Sequence, residues 1–467
     1  MLDSLRRSLL ARFKTMPSWG WHALFMLVAL GICLCFLFFK PGQNGNDLKG
    51  HHDYLAHIKQ NPWDPFGYTS LESWHPPTYY YFGALFDSVV APLHVKGLSG
   101  RRLLSIALYL IYIHFGLRTL RMFLSGSSLI IASILLVVWP SNAELATRFN
   151  SDSAVFPIYA AAQFYVARGF LKGCGSDYCW AIAVSLLGLA LKTSALAPLF
   201  LALVGVSCGL LAGRVRIPAD ARQRTRWGLA IVACLLIGAT INGSRWLYYQ
   251  AYDIQLPIKH IGGRGPDPLP LREISAFNPL SLLASPLSVG APRSNSALEF
   301  AFKTALFTEH PSLGTYRVAL GRAWVALVLA QLLMLIVLVA QKCASAIRSL
   351  KASQAAAEPL ARSARNLAAR LAPPDAWPLL IMLAVPVASL VAFTWVKQWF
   401  VCANYRFVQP SIVAWIILLV LPLEPSGLTA AASPRVQRFA RLGCYALLYW
   451  ALVSMIFKIF LLNRGWT

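Results

Sequence analysis

The stretch from Trp19 to Phe39 carries no Asp, Glu, Lys or Arg. A helix needs about 20 such residues to cross the roughly 30 Å hydrocarbon core of a bilayer. Ten further apolar runs follow, over 103–120, 127–142, 152–170, 179–193, 195–212, 228–244, 323–341, 377–396, 405–422 and 442–461. Only 13% of the chain is charged, against about 25% in soluble domains, too little to cover a water-facing surface. Abundant aromatic and branched residues exclude a disordered chain. The expected fold is an all-α polytopic membrane protein, one unit over 1–467 with about 11 transmembrane helices. Lys40, Pro41 and Gly42 follow the first run where a small-residue cleavage site would stand, so that run reads as an anchor.

The formal net charge is +24. A nucleic-acid binder gathers such a surplus on one domain; here it lies between the apolar runs, as the positive-inside rule predicts. With the N-terminus cytoplasmic, one side receives Arg6, Arg7, Arg12 and Lys14; Arg118 and Arg121; Arg168 and Lys172; Arg214 to Arg226; Lys342 to Arg370; and Arg435, Arg438 and Arg441. These are 22 of the 42 bases, with six of the 18 acids. No nucleic-acid partner is expected; membrane lipid is. The connection 342–376, rich in Ala and Arg over 342–370, reads as a basic amphipathic helix on anionic lipid, and 213–227 as a basic linker. No internal repeat of the transporter kind is visible.

Most remaining acids fall in two long outer loops, 40–102 and 245–322, and long loops between spans usually carry function. The first packs Asp47, His51, His52, Asp53, Tyr54 and His57 into eleven residues. On a helix, Asp47 and His51 share a face, as do Asp53 and His57. A carboxylate beside a His serves as a general base. A polar solvated helix, or zinc held by the histidines, fits the same residues, though no HExxH spacing is present. The nine Cys are scattered, and Cys174 with Cys179 has no second pair nearby, so no metal site is expected. Two prolines then stiffen the entry to an aromatic segment, His75 to Tyr81. Tyr79 to Val90 is expected as a helix along the outer surface, because a span there would move every later basic cluster outside.

These features, in this order, resemble the GT-C superfamily of membrane glycosyltransferases, and within it the protein O-mannosyltransferase and aminoarabinose transferase-like family (glycosyltransferase family 39-like). DLKGHHDY is similar to the family's acidic motif, with Asp47, His51 and Tyr54 matching and Leu48 standing where Glu is common. HPPTYYY resembles its second signature, and RRLLSIAL opens the second span in the same way. The stretch around Asn150 and Asp152, the LALKTSALAPL hairpin, FKTALFTEH, and ANYRFVQP before a late span follow in register, with Asn404 where the family has His.

The resemblance implies a sugar moved from a polyprenyl-phosphate donor to a hydroxyl acceptor (protein, lipid or glycan) on the periplasmic side of a bacterial inner membrane, with no cofactor. A carboxylate must take the acceptor proton, and cations must balance the departing phosphate. Asp47 is the expected base, with Asp53 its rival. Lys192, Arg148, Arg264 and Arg406 are candidate phosphate ligands; His51, His52, Tyr54, His75, Tyr79, Asn150 and Asp152 are candidate substrate or supporting groups. Plainer readings stand beside these. Lys192 fits snorkelling to the interface, Asp152 or Ser151 fits a helix N-cap, and Arg101 and Arg102 fit headgroup binding. The loop around Lys259, His260 and Arg264 fits turn chemistry as well as a lid, with Glu309 and His310 on the same surface. Two other classes compete: a transporter or flippase of lipid-linked sugars, which prefers charges at mid-depth on broken helices, and an O-antigen polymerase or ligase, which prefers a late basic loop.

Overall fold

The computed structural model describes residues 17–39, 48–68, 73, 75–93, 99–139, 141–142, 146–215, 220–252, 276–287, 296–307, 315–355, 376–397, 409–424 and 433–461. Among them the regular structure is entirely helical: α1 (Ser18–Phe39), α2 (Leu48–Gln60), α3 (Thr78–Val90), α4 (Gly100–Phe123), α5 (Gly126–Val138), α6 (Asp152–Lys172), α7 (Gly175–Leu189), α8 (Leu196–Leu211), α9 (Ala221–Ala251), α10 (Pro279–Ala284), α11 (Ala297–Phe307), α12 (Thr315–Ala355), α13 (Trp377–Lys397), α14 (Ile412–Val420) and α15 (Pro434–Leu461).

Among the described residues, each of the eleven expected runs overlaps a helix. Among the described residues, six helical segments are long and apolar enough to cross a membrane: Ser18–Phe38, Gly100–Phe123, Thr193–Leu211, Ala221–Ala251, Val318–Gln341 and Pro434–Ile456. Gly126–Val138, Gly175–Leu189, Trp377–Ala392 and Ile412–Leu423 are apolar but shorter. The run at 152–170 meets neither description. Its helix, α6, buries Asp152, Ser153 and Gln163 inside the bundle and is covered by neighbours on most sides. The exterior is apolar: Leu211 is 90% exposed, Leu229 65% and Leu236 60%. Exposed surface so rich in Leu fits contact with hydrocarbon.

α4 and α6 pack side by side at the centre, with α7 and α8 against α6, and α9 against α7. α1 and α5 flank α4, while α14 lies on α5, and α12 pairs with α15. Buried Tyr112, Leu117, Leu135, Leu136, Val413 and Ile417 join these helices in one core. Polar pins fix the register. The Gln331 amide donates to the Leu419 carbonyl at 3.0 Å and the Ala440 carbonyl at 3.3 Å, tying α12 to α14 and α15. Glu424 accepts from the Ser125 backbone N–H at 2.5 Å and from the Ser128 hydroxyl. It thus places a carboxylate at the positive N-terminal end of α5.

The structure redraws three connections. Residues 342–355 are not a separate surface helix; they prolong α12, which runs unbroken for 41 residues. The basic linker 213–227 is helical from Ala221, where Asp220 caps α9 by accepting from Arg222 N–H at 2.9 Å. Both ends of the second long loop, 245–322, are helical, because α9 continues to Ala251 and α12 begins at Thr315.

Candidate functional site

The first long loop folds into a layer over one end of the bundle. Between Leu48 and Gln60 the sequence has no proline, and His51, Tyr54, Leu55 and Ile58 are buried. That i, i+3, i+4, i+7 spacing gives α2 one packed face. Asn61 and Pro62 follow its end, where the residue before proline disfavours helix. Pro76 and Pro77 are buried and lead directly into α3, whose buried face holds Tyr79, Tyr80, Gly83 and Val90.

Phe149, fully buried, is the centre of this layer. Its ring stacks on Tyr79 at 5.0 Å and meets His52, Tyr80 and His51 at 6.0, 6.0 and 6.5 Å. Gly83 permits the approach: a Cβ there would lie 2.8 Å from two Phe149 ring carbons. His51 Nδ1 and the Tyr80 hydroxyl are 2.6 Å apart, and the His51 ring stacks on His75 at 5.9 Å. The Tyr79 hydroxyl meets Ser105 Oγ at 3.3 Å.

The layer is bolted to the bundle by charge. Asp87 of α3 accepts from Lys59 Nζ of α2 at 2.7 Å and from the Arg101 backbone N–H of α4 at 2.9 Å. Arg101 Nη1 donates to His52 Nδ1 at 2.5 Å. Gly100 makes this junction possible, since a Cβ there would sit 2.0 Å from the Phe86 carbonyl oxygen. Arg102, buried beside it, donates to the Leu37, Phe36 and Thr147 carbonyls at 3.1, 3.4 and 3.2 Å. It satisfies the C-terminal carbonyls of α1 and complements the helix dipole. Neither arginine is a free headgroup ligand.

Burial first, and the Arg101 guanidinium second, hold the His52 imidazole below its ordinary value, against Asp87 and Asp53. Burial alone would raise the Asp87 carboxyl; the Lys59 ammonium and the Arg101 contacts outweigh it and hold the group low. Both signs agree. A His with a depressed folded pKa and an Asp with a depressed folded pKa each add stability at neutral pH that is lost on acidification. The layer is therefore expected to loosen as pH falls below about 6.5, the unfolded His value. Hydrogen exchange of 51–60 and 78–90 at pH 7.5 and 5.5 measures this, and equal protection at both values would refute it.

On the other flank the turn after α2 docks on the end of α9. Tyr248 donates to Asp64 Oδ1 at 3.0 Å, and Tyr249 to the Ser73 carbonyl at 2.9 Å. Both ring nitrogens of His57 are engaged, with the Asp64 carbonyl at 2.8 Å and the Asn61 amide at 3.3 Å, so His57 does not pair with Asp53. Asp53 is half-buried and takes no hydrogen bond or ion pair among the described residues. The Tyr54 hydroxyl is buried without a hydrogen-bond partner among the described residues. Burial, then Tyr249, raises its phenol, and Arg245 of α9 opposes them.

Under the layer, buried Lys192 pairs with buried Asp152. Lys192 stands in the turn between α7 and α8, and Asp152 is the first residue of α6. The Asn150 side chain, rather than Ser151 or Asp152, does the capping, accepting from the Asp152 N–H at 2.8 Å. Arg148 is buried next to Phe149.

The structure thus gathers His51, His52, Tyr54, His75 and Tyr79 in one layer and sets Asn150, Asp152 and Lys192 beneath it. Asp47, Arg264 and Arg406 lie outside the described residues, as do Lys259, His260, Asn404, Glu309 and His310. Tyr80 and Arg101 stand inside the quoted HPPTYYY and RRLLSIAL strings, yet the sequence gives them no partner. Phe149, Asp87 and Arg245 carry no local signal. Among the described residues no group of three His, Cys, Asp or Glu side chains is arranged to hold a metal ion. Compared with protein-family models, curated proteins and solved structures, the chain matches none.

Proposed function

We propose that this chain is an integral membrane glycosyltransferase that moves a monosaccharide from a polyprenyl-phosphate donor to a hydroxyl acceptor, on the side of the membrane where the α2–α3 layer lies. The observation that carries the reading is that layer. A loop dense in His, Tyr and carboxylate folds as a packed cover over Lys192, Asp152 and Arg148, where a polar solvated loop would stand free. The buried Tyr54 hydroxyl adds to it. An unmet buried donor costs about 1–3 kcal/mol, and a hydroxyl-rich ligand would satisfy it.

Asp47 directly precedes α2. In the proposed reaction its carboxylate takes the acceptor proton while the acceptor oxygen attacks the anomeric carbon. The bond from that carbon to the phosphate oxygen breaks, and polyprenyl phosphate departs. Lys192 keeps two N–H donors beyond its bond to Asp152. With Arg148, and with Arg264 and Arg406 from the sequence, it supplies charge to balance the phosphate. Lys192 stands in the α7–α8 turn directly beneath the layer, within reach of the outer loop's groups, which favours transfer over a carrier.

The path we infer crosses the membrane eleven times, with α2, α3, α10 and α11 outside the core. Contacts between helix ends support it. Near the layer, the ends of α1 and α4, of α6 and the α7–α8 turn, and of α9 and the outer segment bond to one another. At the opposite end Ser125 bonds Glu424, and Arg168 pairs with Asp177. Arg118, Arg121, Arg168 and Lys172 lie at that opposite end, which supports a cytoplasmic side there and a periplasmic layer in a bacterial inner membrane.

The test uses the purified protein and a panel of polyprenyl-phosphate sugars with a cell-envelope extract as acceptor source, following free polyprenyl phosphate by mass spectrometry. The parent is expected to release it from one donor. Asp47→Asn is expected to lose at least a hundredfold in rate, the usual scale for removing a general base, with donor binding retained. Equal release by Asp47→Asn and loss in Asp53→Asn would move the base to Asp53. Tight donor binding with no release by the parent would overturn the reading in favour of a carrier.

A further inference from the structure

At the end of the bundle opposite the α2–α3 layer, α1, α4 and α6 bring together cations that the glycosyl-transfer reading does not use. Arg121 of α4 stands over the Trp21 ring at 5.4 Å. Arg118, one turn earlier, stands over Phe164 of α6 at 4.4 Å, and Arg168 shares that ring at 4.9 Å. His22 of α1 and His114 of α4 lie 2.9 Å apart, ring nitrogen to ring nitrogen, and His22 is within electrostatic reach of both Arg118 and Arg121. Arg168 is neutralised by Asp177. Arg118 and Arg121 take no carboxylate among the described residues; they face aromatic rings and the His22–His114 pair.

Depth identifies what they face. Arg101 and Arg121 lie at the two ends of α4, separated by about 30 Å at 1.5 Å per residue, the thickness of a hydrocarbon core. With Arg101 in the layer at one interface, Arg118 and Arg121 fall at the other. Trp19, two residues before Trp21, is 74% exposed, and Trp180, stacked on Tyr165 at 6.4 Å, is 50% exposed, and exposed Trp marks the headgroup level. A guanidinium laid against an aromatic ring keeps its N–H edge open for bidentate phosphate binding. Basic pockets between transmembrane helices on the cytoplasmic side are the usual seats of anionic headgroups.

We propose that Arg118 and Arg121, framed by Trp21, Phe164 and the His22–His114 pair, form a binding site for the phosphate of an anionic phospholipid. The site depends on the membrane reading alone and stands whether or not the chain transfers sugar.

The test compares the full-length protein with Arg118→Gln/Arg121→Gln and with Arg118→Lys/Arg121→Lys, in nanodiscs of phosphatidylcholine carrying a few per cent phosphatidylglycerol. Lipid retained after detergent extraction is counted by native mass spectrometry. The parent is expected to retain phosphatidylglycerol above its bulk fraction. The Gln pair is expected to weaken that retention on the order of thirtyfold while phosphatidylcholine retention is unchanged. The Lys pair, which keeps the charge, is expected to retain an intermediate amount. Equal phosphatidylglycerol retention by parent and Gln pair would overturn the proposal, and so would retention by the parent at the bulk fraction. Equal loss of both lipids would assign the arginines to packing instead. Displacement of the lipid by millimolar inorganic phosphate would assign the site to free phosphate and reject the lipid.

Discussion

Gly100→Ala is expected to detach the α2–α3 layer from the bundle. The added Cβ would lie 2.0 Å from the Phe86 carbonyl oxygen, 2.1 Å from its carbon and 2.2 Å from the Asp87 nitrogen. All three are backbone atoms, so no side-chain rotation relieves the clash. α3 must move away from α4, and the Asp87–Arg101 bonds go with it. Overpacking typically costs about 1–3 kcal/mol, and the lost charge-assisted bonds add roughly 1.5–3 kcal/mol. The bundle itself, held by α4, α6 and α14, keeps its helices. The expected signature is split: near-parent helix content by circular dichroism, with fast proteolysis or hydrogen exchange confined to 48–68 and 78–93. Uniform protection of those segments in Gly100→Ala would refute the account.

Lys192→Met is expected to destabilise the protein by about 3–5 kcal/mol, the cost of leaving one partner of a buried ion pair without the other. Asp152 would stay buried at the start of α6 without its ammonium partner. The double variant Lys192→Met/Asp152→Asn removes both charges and is expected to recover most of that loss. Stability and activity should then part company. If Lys192 also serves a donor phosphate, the double variant folds well and still fails to turn over. If the pair only holds α6 to the α7–α8 turn, activity returns with stability. Thermal melts and polyprenyl-phosphate release on the three variants separate the cases. A single variant as stable as the parent would show that Asp152 is already neutral.

The helices were legible because their signal is local. Each apolar run needs only its own residues, and Pro76 and Pro77 mark the start of α3 without any tertiary help. Helix ends were less legible. Hydropathy stops at Arg245 and restarts after Arg322, yet no Pro stands in 245–251 or 315–322 and one Gly, Gly321, is tolerated, so α9 and α12 continue through them. The same rule carries α12 past Lys342, where a change of composition suggests a new element but no Gly or Pro interrupts the backbone. At the site, residue types were readable and partnerships were not. His51 and Tyr54 stand out by density, whereas the Phe149–Tyr79 stack joins residues seventy positions apart. Arg102 illustrates the limit. By its position before the second span it fits headgroup binding, and its carbonyl partners at Leu37 and Phe36 identify it as the cap of α1.

At 1.5 Å per residue, the 41 residues of α12 make a rod about 61 Å long. A core about 30 Å thick swallows such a rod whole only at a tilt near 60°, beyond the 0–40° that spanning helices adopt. Even at the top of that range about 15 residues must emerge, close to the number between Lys342 and Ala355. The emerging part is a mast, continuous with the transmembrane segment and stiffened by the same backbone ladder. At its other foot Arg322 is moored to the Leu283 and Ala284 carbonyls. A sideways push on the mast would travel as leverage along one solid body to the far face of the bilayer.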